Sequence, residues 1–263
     1  MRLDARRRAC LDAMGIEVWR LRHDESGSNS EEDIAGAAEA AAGTDAVIDP
    51  PAAIAELMAP DSETPEPAPP ALDAEPDLDW PALQTAVSDC RRCDLHQTRS
   101  QTVFGVGDHN ASLMVIGEAP GADEDRLGEP FVGRAGKLLD AMLEAIGFAR
   151  EQVYIANIIK CRPPGNRDPH IEEAASCQPY LHRQIALIQP KLILSVGRIS
   201  AHNLLGTEES VGRLRGRVHR FDPGDIPLIV TYHPAYLLRR PQEKAKSWQD
   251  LQAAYRVLNG IID

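Results

Sequence analysis

The chain has 263 residues, 43% hydrophobic and 5% aromatic, with 28 Lys plus Arg against 40 Asp plus Glu and a formal net charge of −12. No run approaches the roughly 18–20 consecutive apolar residues of a membrane span, which excludes a helical membrane protein, and the Arg-rich start lacks the apolar core of a secretory signal, so a cytoplasmic chain without a membrane partner is expected. The acidic balance, taken whole, opposes a nucleic-acid partner, because phosphate binding is driven by Lys and Arg displacing counterions; but residues 1–22 carry +3, residues 23–89 carry −17 and residues 90–263 carry +2, so the acid is confined to one segment.

Residues 1–22 read as a basic amphipathic N-terminal segment, with Leu3, Cys10, Leu11 and Met14 at near-helical spacing among Arg2, Arg6, Arg7 and Arg8. Residues 23–78 read as an acidic Ala/Pro-rich disordered linker. Nine prolines fall in 23–89 and Trp80 is the one aromatic residue there, so little apolar surface offsets chain entropy. The folded domain is expected over residues 79–263, starting with Asp79 as N-cap of a short helix through Trp80, Pro81, Leu83 and Val87 that delivers Cys90.

Beyond it, short β-branched runs at Leu113–Ile116, Val153–Ile158, Leu192–Val196 and Leu228–Tyr232 alternate with helical patterns at Ala135–Ile146, Ile171–Ile188, Arg198–Leu205 and Lys244–Leu258. This alternation predicts an α/β fold of three layers, α/β/α, with a central, mainly parallel four-stranded sheet and a largely disordered N-terminal extension. Each predicted strand runs into a polar or glycine-containing segment: Gly117-Glu118-Ala119-Pro120-Gly121, Ile159-Lys160-Cys161, Gly197-Arg198 and His233-Pro234-Ala235. Ligands of open α/β sheets bind beyond the carboxyl ends of the strands, so the four segments should meet at one site.

Cys90 and Cys93 form a C-x2-C pair, and Cys161 and Cys177 follow as C-x15-C after a 67-residue gap. Two pairs of thiolates suit a tetrahedral zinc or an iron–sulfur cluster. Spacing alone decides neither, nor does it separate them from ordinary buried thiols. His96 extends the first pair to C-x2-C-x2-H and competes as a ligand; Cys10 stands apart.

Four motifs in order, Gly117-Glu118-Ala119-Pro120-Gly121, Glu129-Pro130-Phe131-Val132-Gly133, Asn157-Ile158-Ile159-Lys160-Cys161-Arg162-Pro163-Pro164 and His233-Pro234-Ala235-Tyr236-Leu237-Leu238, are threaded by these cysteines. The pattern resembles the family 4 uracil-DNA glycosylases, the iron–sulfur type of bacteria and archaea, over about residues 80–263. The resemblance implies a monofunctional DNA N-glycosylase that flips uracil out of DNA and hydrolyses its N-glycosidic bond to start base excision repair. It implies a 4Fe-4S cluster on Cys90, Cys93, Cys161 and Cys177 and uracil-containing DNA as partner. The expected chain is a monomer; for the basic N-terminal segment, to which the family motifs assign no role, a helix docking on the main domain or on nothing stands against a peptide that binds a repair or replication protein.

A glycosylase must extrude the nucleotide and read its polar edge while stacking on its face. Phe131 suits the stacking, and the Asn157 amide can accept from uracil N3–H and donate to O4, a pattern that cytosine reverses. His233 is the donor expected to stabilise negative charge on uracil O2. Gly117, Glu118 and Ala119 would line the base. The best-known members carry an Asp where Ala119 stands, which leaves Glu118 as the catalytic carboxylate that orients water or stabilises the sugar cation, with Asp123 and Glu124 behind it. Leu237 and Leu238 would fill the space left by the flipped base, and Arg162, Arg167, Arg239 and Arg240 would meet phosphates. Lys137 and Lys160 read as solvated or phosphate-facing, so neither is a Schiff-base nucleophile. The alternatives are a catalytically weak binding module and a relative that traps uracilated DNA covalently through an inserted Arg-rich loop. No such insertion follows Asn157-Ile158-Ile159-Lys160.

Overall fold

The computed structural model describes residues 77–261, so the readings of residues 1–22, of Cys10 and of 23–76 lie outside the described residues. Helix α1 (Trp80–Ser88) starts as its sequence dictates: Asp79 Oδ1 accepts the Ala82 N–H at 3.0 Å and proline occupies the first turn, where no backbone donor is needed. Its Leu83 and Val87 pack with Phe104 and Tyr180. Order begins before the expected Asp79, because Arg183 donates to the Leu78 carbonyl and to Asp77, each at 2.7 Å.

The sheet has six strands in the order β1-β3-β2-β4-β6-β5: β1 Val106–Gly107, β2 Leu113–Gly117, β3 Tyr154–Asn157, β4 Leu192–Val196, β5 Val218–Phe221 and β6 Ile226–Thr231. The inner four are parallel and coincide with the four predicted strands. The two edges, β1 and β5, are antiparallel additions. Both escape a periodicity reading for physical reasons. β1 has two residues, and β5 reads Val-His-Arg-Phe, a half-exposed edge whose arginine looks like part of a basic run.

Alternation along the inner strands sends Met114, Ile116, Tyr154, Ala156, Ile193 and Val230 to one face. There they meet α4 (Ile171–Ile188), α5 (Arg198–Leu205) and α6 (Val211–Leu214). Leu113, Val115, Ile155, Leu194 and Ile229 go to the other face, against α3 (Arg134–Ala145), α7 (Pro234–Arg239) and α8 (Lys244–Leu258). Burial on both faces is why these strands read as continuous apolar runs. The fold is thus a three-layer α/β/α sandwich. A short helix α2 (Ala122–Leu127) follows the β2 loop, with Asp123, Glu124 and Asp125 in its first turn, where acidic groups complement the helix dipole.

Candidate functional site

The carboxyl ends of β2, β3, β4 and β6 open into one cleft of about 800 Å³, lined among others by Glu118, Ala119, Glu124, Phe131, Asn157, Asp168, Arg198 and His233. Gly117 ends β2, and its missing side chain is required. A Cβ there would lie 2.5 Å from Asn157 Oδ1 and 2.6 Å from the Phe131 ring, so glycine lets the amide and the ring stand against the strand.

Phe131 is 7% exposed and holds φ +54°, a left-handed conformation that costs a bulky residue energy and persists only when its surroundings fix it. They do. Glu124 Oε1 accepts the Val132 and Gly133 N–H groups at 3.0 and 3.2 Å, its Oε2 accepts Gly121 N–H at 3.1 Å, and Arg150 donates to the Pro130 carbonyl at 2.5 Å. Glu124, a secondary carboxylate in the sequence reading, is thereby committed to shaping the loop. Asp123 lies outside the lining: it is exposed on the first turn of α2 and pairs with Arg126 at 3.6 Å, which corrects its expected place against the base.

Asn157 is 2% exposed, and its Oδ1 is buried without a hydrogen-bond partner. A buried carbonyl oxygen without a donor is costly. His233 stacks on Phe131 with ring centroids 5.6 Å apart and 29° between planes. Its Nδ1 accepts the Ala235 N–H at 3.1 Å, capping α7, which fixes the proton on Nε2. Burial, with Arg239 adding to it, pushes the imidazole down to about 4, so it is a neutral N–H donor at physiological pH. Gly197 holds φ +100°, and a Cβ there would lie 3.0 Å from the His233 Cβ.

Glu118 is half-buried, and its carboxyl is pushed up to about 7, first by burial and then by Asp168, against the pull of Arg198. Arg198 pairs with Asp168 at 2.5 Å on the cleft rim. The sequence reading marked Gly197-Arg198 as a strand end but missed Asp168. Its signal was an acidic residue directly after Asn166-Arg167, masked by the basic character of that loop.

None of the four thiols Cys90, Cys93, Cys161 and Cys177 lines the cleft. Cys161 and Cys177 are 3% exposed, while Cys90 and Cys93 are half-buried. Burial pushes the Cys93 and Cys161 thiols up and Cys177 up to about 12; Cys93 feels Cys90, Cys161 feels both, and Cys177 feels Cys161 and Cys93. Arg99 donates to Cys161 Sγ at 2.9 Å and to the Cys90 carbonyl at 2.9 Å. His96 is turned to the Cys93 carbonyl through Nδ1 at 2.8 Å. No three His, Cys, Asp or Glu side chains among the described residues are grouped as a single metal ion requires.

Two expected DNA contacts and one lysine are corrected. Leu237 is 0% exposed in the core beneath α7, whereas Leu238 is 36% exposed. The expected loop is a helix, started by the His233 cap and Pro234, and a helix must turn one of two successive leucines inward. Arg167 is held by both Glu173 oxygens at 2.8 and 2.7 Å, so a phosphate would have to compete for it. Lys160 is neither solvated nor phosphate-facing: it is 1% exposed and donates to the Asn157 carbonyl and Gln184 Oε1. Arg162 donates to Asn166 at 2.8 Å, and Arg239 and Arg240 are exposed.

Residues 104–252 match the family model of the uracil DNA glycosylase superfamily. Among curated proteins, the chain is 46% identical over 172 residues to a type-4 uracil-DNA glycosylase of Archaeoglobus fulgidus, covering 63% of this chain and 86% of that protein. It is 41% identical over 180 residues to the type-4 uracil-DNA glycosylase of Pyrobaculum aerophilum, covering 66% and 92%. To that of Sulfurisphaera tokodaii it is 43% identical over 166 residues, covering 60% and 76%.

Proposed function

We infer the chemistry of this site from one premise: the chain belongs to the uracil DNA glycosylase superfamily. It is a uracil-DNA glycosylase, a hydrolase of DNA repair that acts on uracil-containing DNA. The observation that carries our assignment of the cleft is the orphaned Asn157 Oδ1, a buried acceptor beside an aromatic face. Uracil supplies the missing donor through N3–H while cytosine presents an acceptor there, so the unpaired atom discriminates in the direction the reaction needs.

In this reading Phe131 stacks on the everted base, and Gly117, Glu118 and Ala119 bound its edge. The neutral His233 donates from Nε2 to uracil O2 as the glycosidic bond breaks, which stabilises the departing anion without a prior proton transfer. Glu118, as carboxylate, faces the sugar cation or orients the attacking water. The product is an abasic site, since the buried Lys160 is committed to two acceptors and no lysine is among the cleft-lining residues. The covalent-trapping alternative is not favoured, because Cys161 and a Pro-Pro-Gly turn follow Lys160 directly.

For the sulfur site we propose a 4Fe-4S cluster on Cys90, Cys93, Cys161 and Cys177. Supporting this, Cys161 and Cys177 are buried, Cys93 interacts with Cys90 and Cys161 with both, and Arg99 donates to Cys161 Sγ and to the Cys90 carbonyl, a cation placed beside thiolates that would carry an anionic cluster. Such a cluster ties the segment after α1, the end of β3 and helix α4 together. Leu238, Arg239 and Arg240 form the proposed DNA contact, and residues 1–22 the proposed recruitment segment. The test is release of free uracil from a uracil-containing oligonucleotide by the purified chain, with cytosine and thymine oligonucleotides as controls. No uracil at stoichiometric enzyme refutes the assignment.

A further inference from the structure

Holding the uracil uses one part of the cleft wall and leaves another without a task. An everted uracil with its sugar is smaller than the drug-sized ligands that pockets of about 800 Å³ enclose. The remaining lining includes Ser210, Gly212, Tyr232, Tyr236 and Arg239. Tyr232 is the first residue beyond β6, and Tyr236 stands four residues later within α7, so strand end and helix bring both rings to one place. Their centroids are 5.0 Å apart, with 32° between planes.

The pair is anchored in the core. Arg215 places its guanidinium carbon 5.7 Å from the Tyr232 ring centroid and grips the buried Asp250 with two nitrogens at 3.0 and 2.9 Å. Asp250 also accepts the Thr231 hydroxyl at 2.9 Å, which fixes the chain one residue before Tyr232. A Cβ on Gly212 would lie 3.7 Å from the Tyr232 hydroxyl, so a residue without a side chain keeps this wall open. Both tyrosines are partly exposed. Arg239, three residues and about one helical turn after Tyr236, is exposed and pairs with no carboxylate among the described residues. Fixed aromatic rings open to a cleft, with an uncommitted cation beside them, offer what an unpaired nucleotide needs: a flat face for the base and positive charge for its phosphate.

We propose that this wall is a second nucleotide site, where the base next to the uracil in the same strand stacks on the Tyr232–Tyr236 pair with its phosphate at Arg239. This rests on the reading of Phe131, Asn157 and His233 as the uracil pocket. Every base has a π-face, so the site tolerates any neighbour but not a missing one. In a duplex the neighbour is held by its own pairing and stacking, so the effect is largest on a single strand.

The experiment uses the full chain and single-stranded oligonucleotides with one uracil, flanked by purines or by a stable abasic spacer on the 5′ or the 3′ side. The readout is kcat/KM for uracil release. In wild type, the spacer on one of the two sides should lower it about 5- to 150-fold, the range that base–aromatic stacking is worth. Tyr236→Leu, which keeps an apolar side chain for the core but removes the flat face, should lower kcat/KM on the purine-flanked strand by a similar factor and lose the spacer effect. A merely structural tyrosine would lower both substrates equally and leave their ratio intact. Tyr236→Phe, which keeps the ring, should retain the spacer effect. Wild-type indifference to the spacer on both sides, an undiminished effect in Tyr236→Leu, or its loss in Tyr236→Phe overturns the proposal. If Tyr236→Leu does not accumulate folded, Gly212→Leu decides in its place: by filling the wall beside Tyr232 it should abolish the spacer effect, and an undiminished effect there overturns the proposal. A wild-type protein that releases no uracil from the purine-flanked strand removes the uracil pocket and this inference together, whereas normal release without a spacer effect sinks the inference only.

Discussion

Glu118 offers the most exacting test of the proposed chemistry. Its carboxyl is raised from 4.5 to about 7 by burial and by Asp168, so it gives up its proton near neutral pH. If the carboxylate is the working form, kcat/KM falls as pH falls through about 7 and levels off above it. A group with that value is roughly 10% ionised one unit below it and roughly 1% two units below, so excision should drop about tenfold and then about 100-fold across that span. His233 does not blur this limb, because its own proton is taken up only near pH 4. The assay is single-turnover uracil release across pH 5–9, with DNA binding measured in parallel to separate affinity from chemistry. Glu118→Gln should be slow and flat with pH. Asp168→Asn should move the limb to lower pH by deleting the like charge, and Arg198→Gln should move it upward by deleting the opposing one. A wild-type profile that stays flat between pH 5 and 8, or a limb that persists in Glu118→Gln, refutes the assignment of Glu118.

Asn157→Ala should lose about 100- to 1000-fold in excision, the usual cost of a preorganised polar group in the transition state, yet melt close to wild type. Relief of the orphaned acceptor, about 1–3 kcal/mol, offsets lost packing; a large fall in melting temperature would mean that the amide is structural. Leu237→Ala should destabilise the fold by about 2–5 kcal/mol, as expected for a buried leucine. Leu238→Ala should leave stability alone and weaken excision from duplex more than from single-stranded DNA; parallel effects of the two on stability would refute the inward and outward assignment. Gly117→Ala should raise KM for uracil DNA, since its Cβ would meet Asn157 and Phe131 inside 3 Å; an unchanged KM in steady-state assays would show that neither wall sets the base pocket.

The sheet's inner strands were legible because burial on both faces writes Leu113–Gly117 and Leu192–Val196 as unbroken apolar runs. The convergence of Glu118, Asn157 and His233 followed from the rule that parallel strands deliver their carboxyl ends to one side, whereas Phe131, in the loop between α2 and α3, was legible only through its motif. What stayed hidden depends on partners that are distant in sequence. Lys160 looks like any lysine in a basic run until Gln184, 24 residues later, is seen to receive it. Arg167 looks like a phosphate ligand until Glu173 occupies both its nitrogens. The helical phase that buries Leu237 and exposes Leu238 depends on a histidine ring acting as an N-cap, a role that the usual Ser, Thr, Asp and Asn signals do not encode.

The arginines then divide by what they face, and the division bears on how DNA is held. Arg99, Arg150, Arg167, Arg183 and Arg215 are spent on carboxylates, carbonyls or a thiol within the fold; Arg215, for example, grips the buried Asp250 with two nitrogens. A phosphate gains little from a guanidinium already paired, so the near-neutral charge of residues 90–263 overstates how much of the basic side is available. The exposed Arg239 and Arg240 lie at the C-terminal end of α7, next to Leu238, one short helix away from the cap that orients His233. One short helix thus carries an inward anchor in Leu237, an outward apolar side chain and two cations. The first turn of α7 is tied to the histidine proposed to act on the base by Ala235 N–H to His233 Nδ1 and by the Tyr236 and Leu237 N–H groups to the His233 carbonyl, so the helix that presents these cations and the ring that meets the uracil are one mechanical unit.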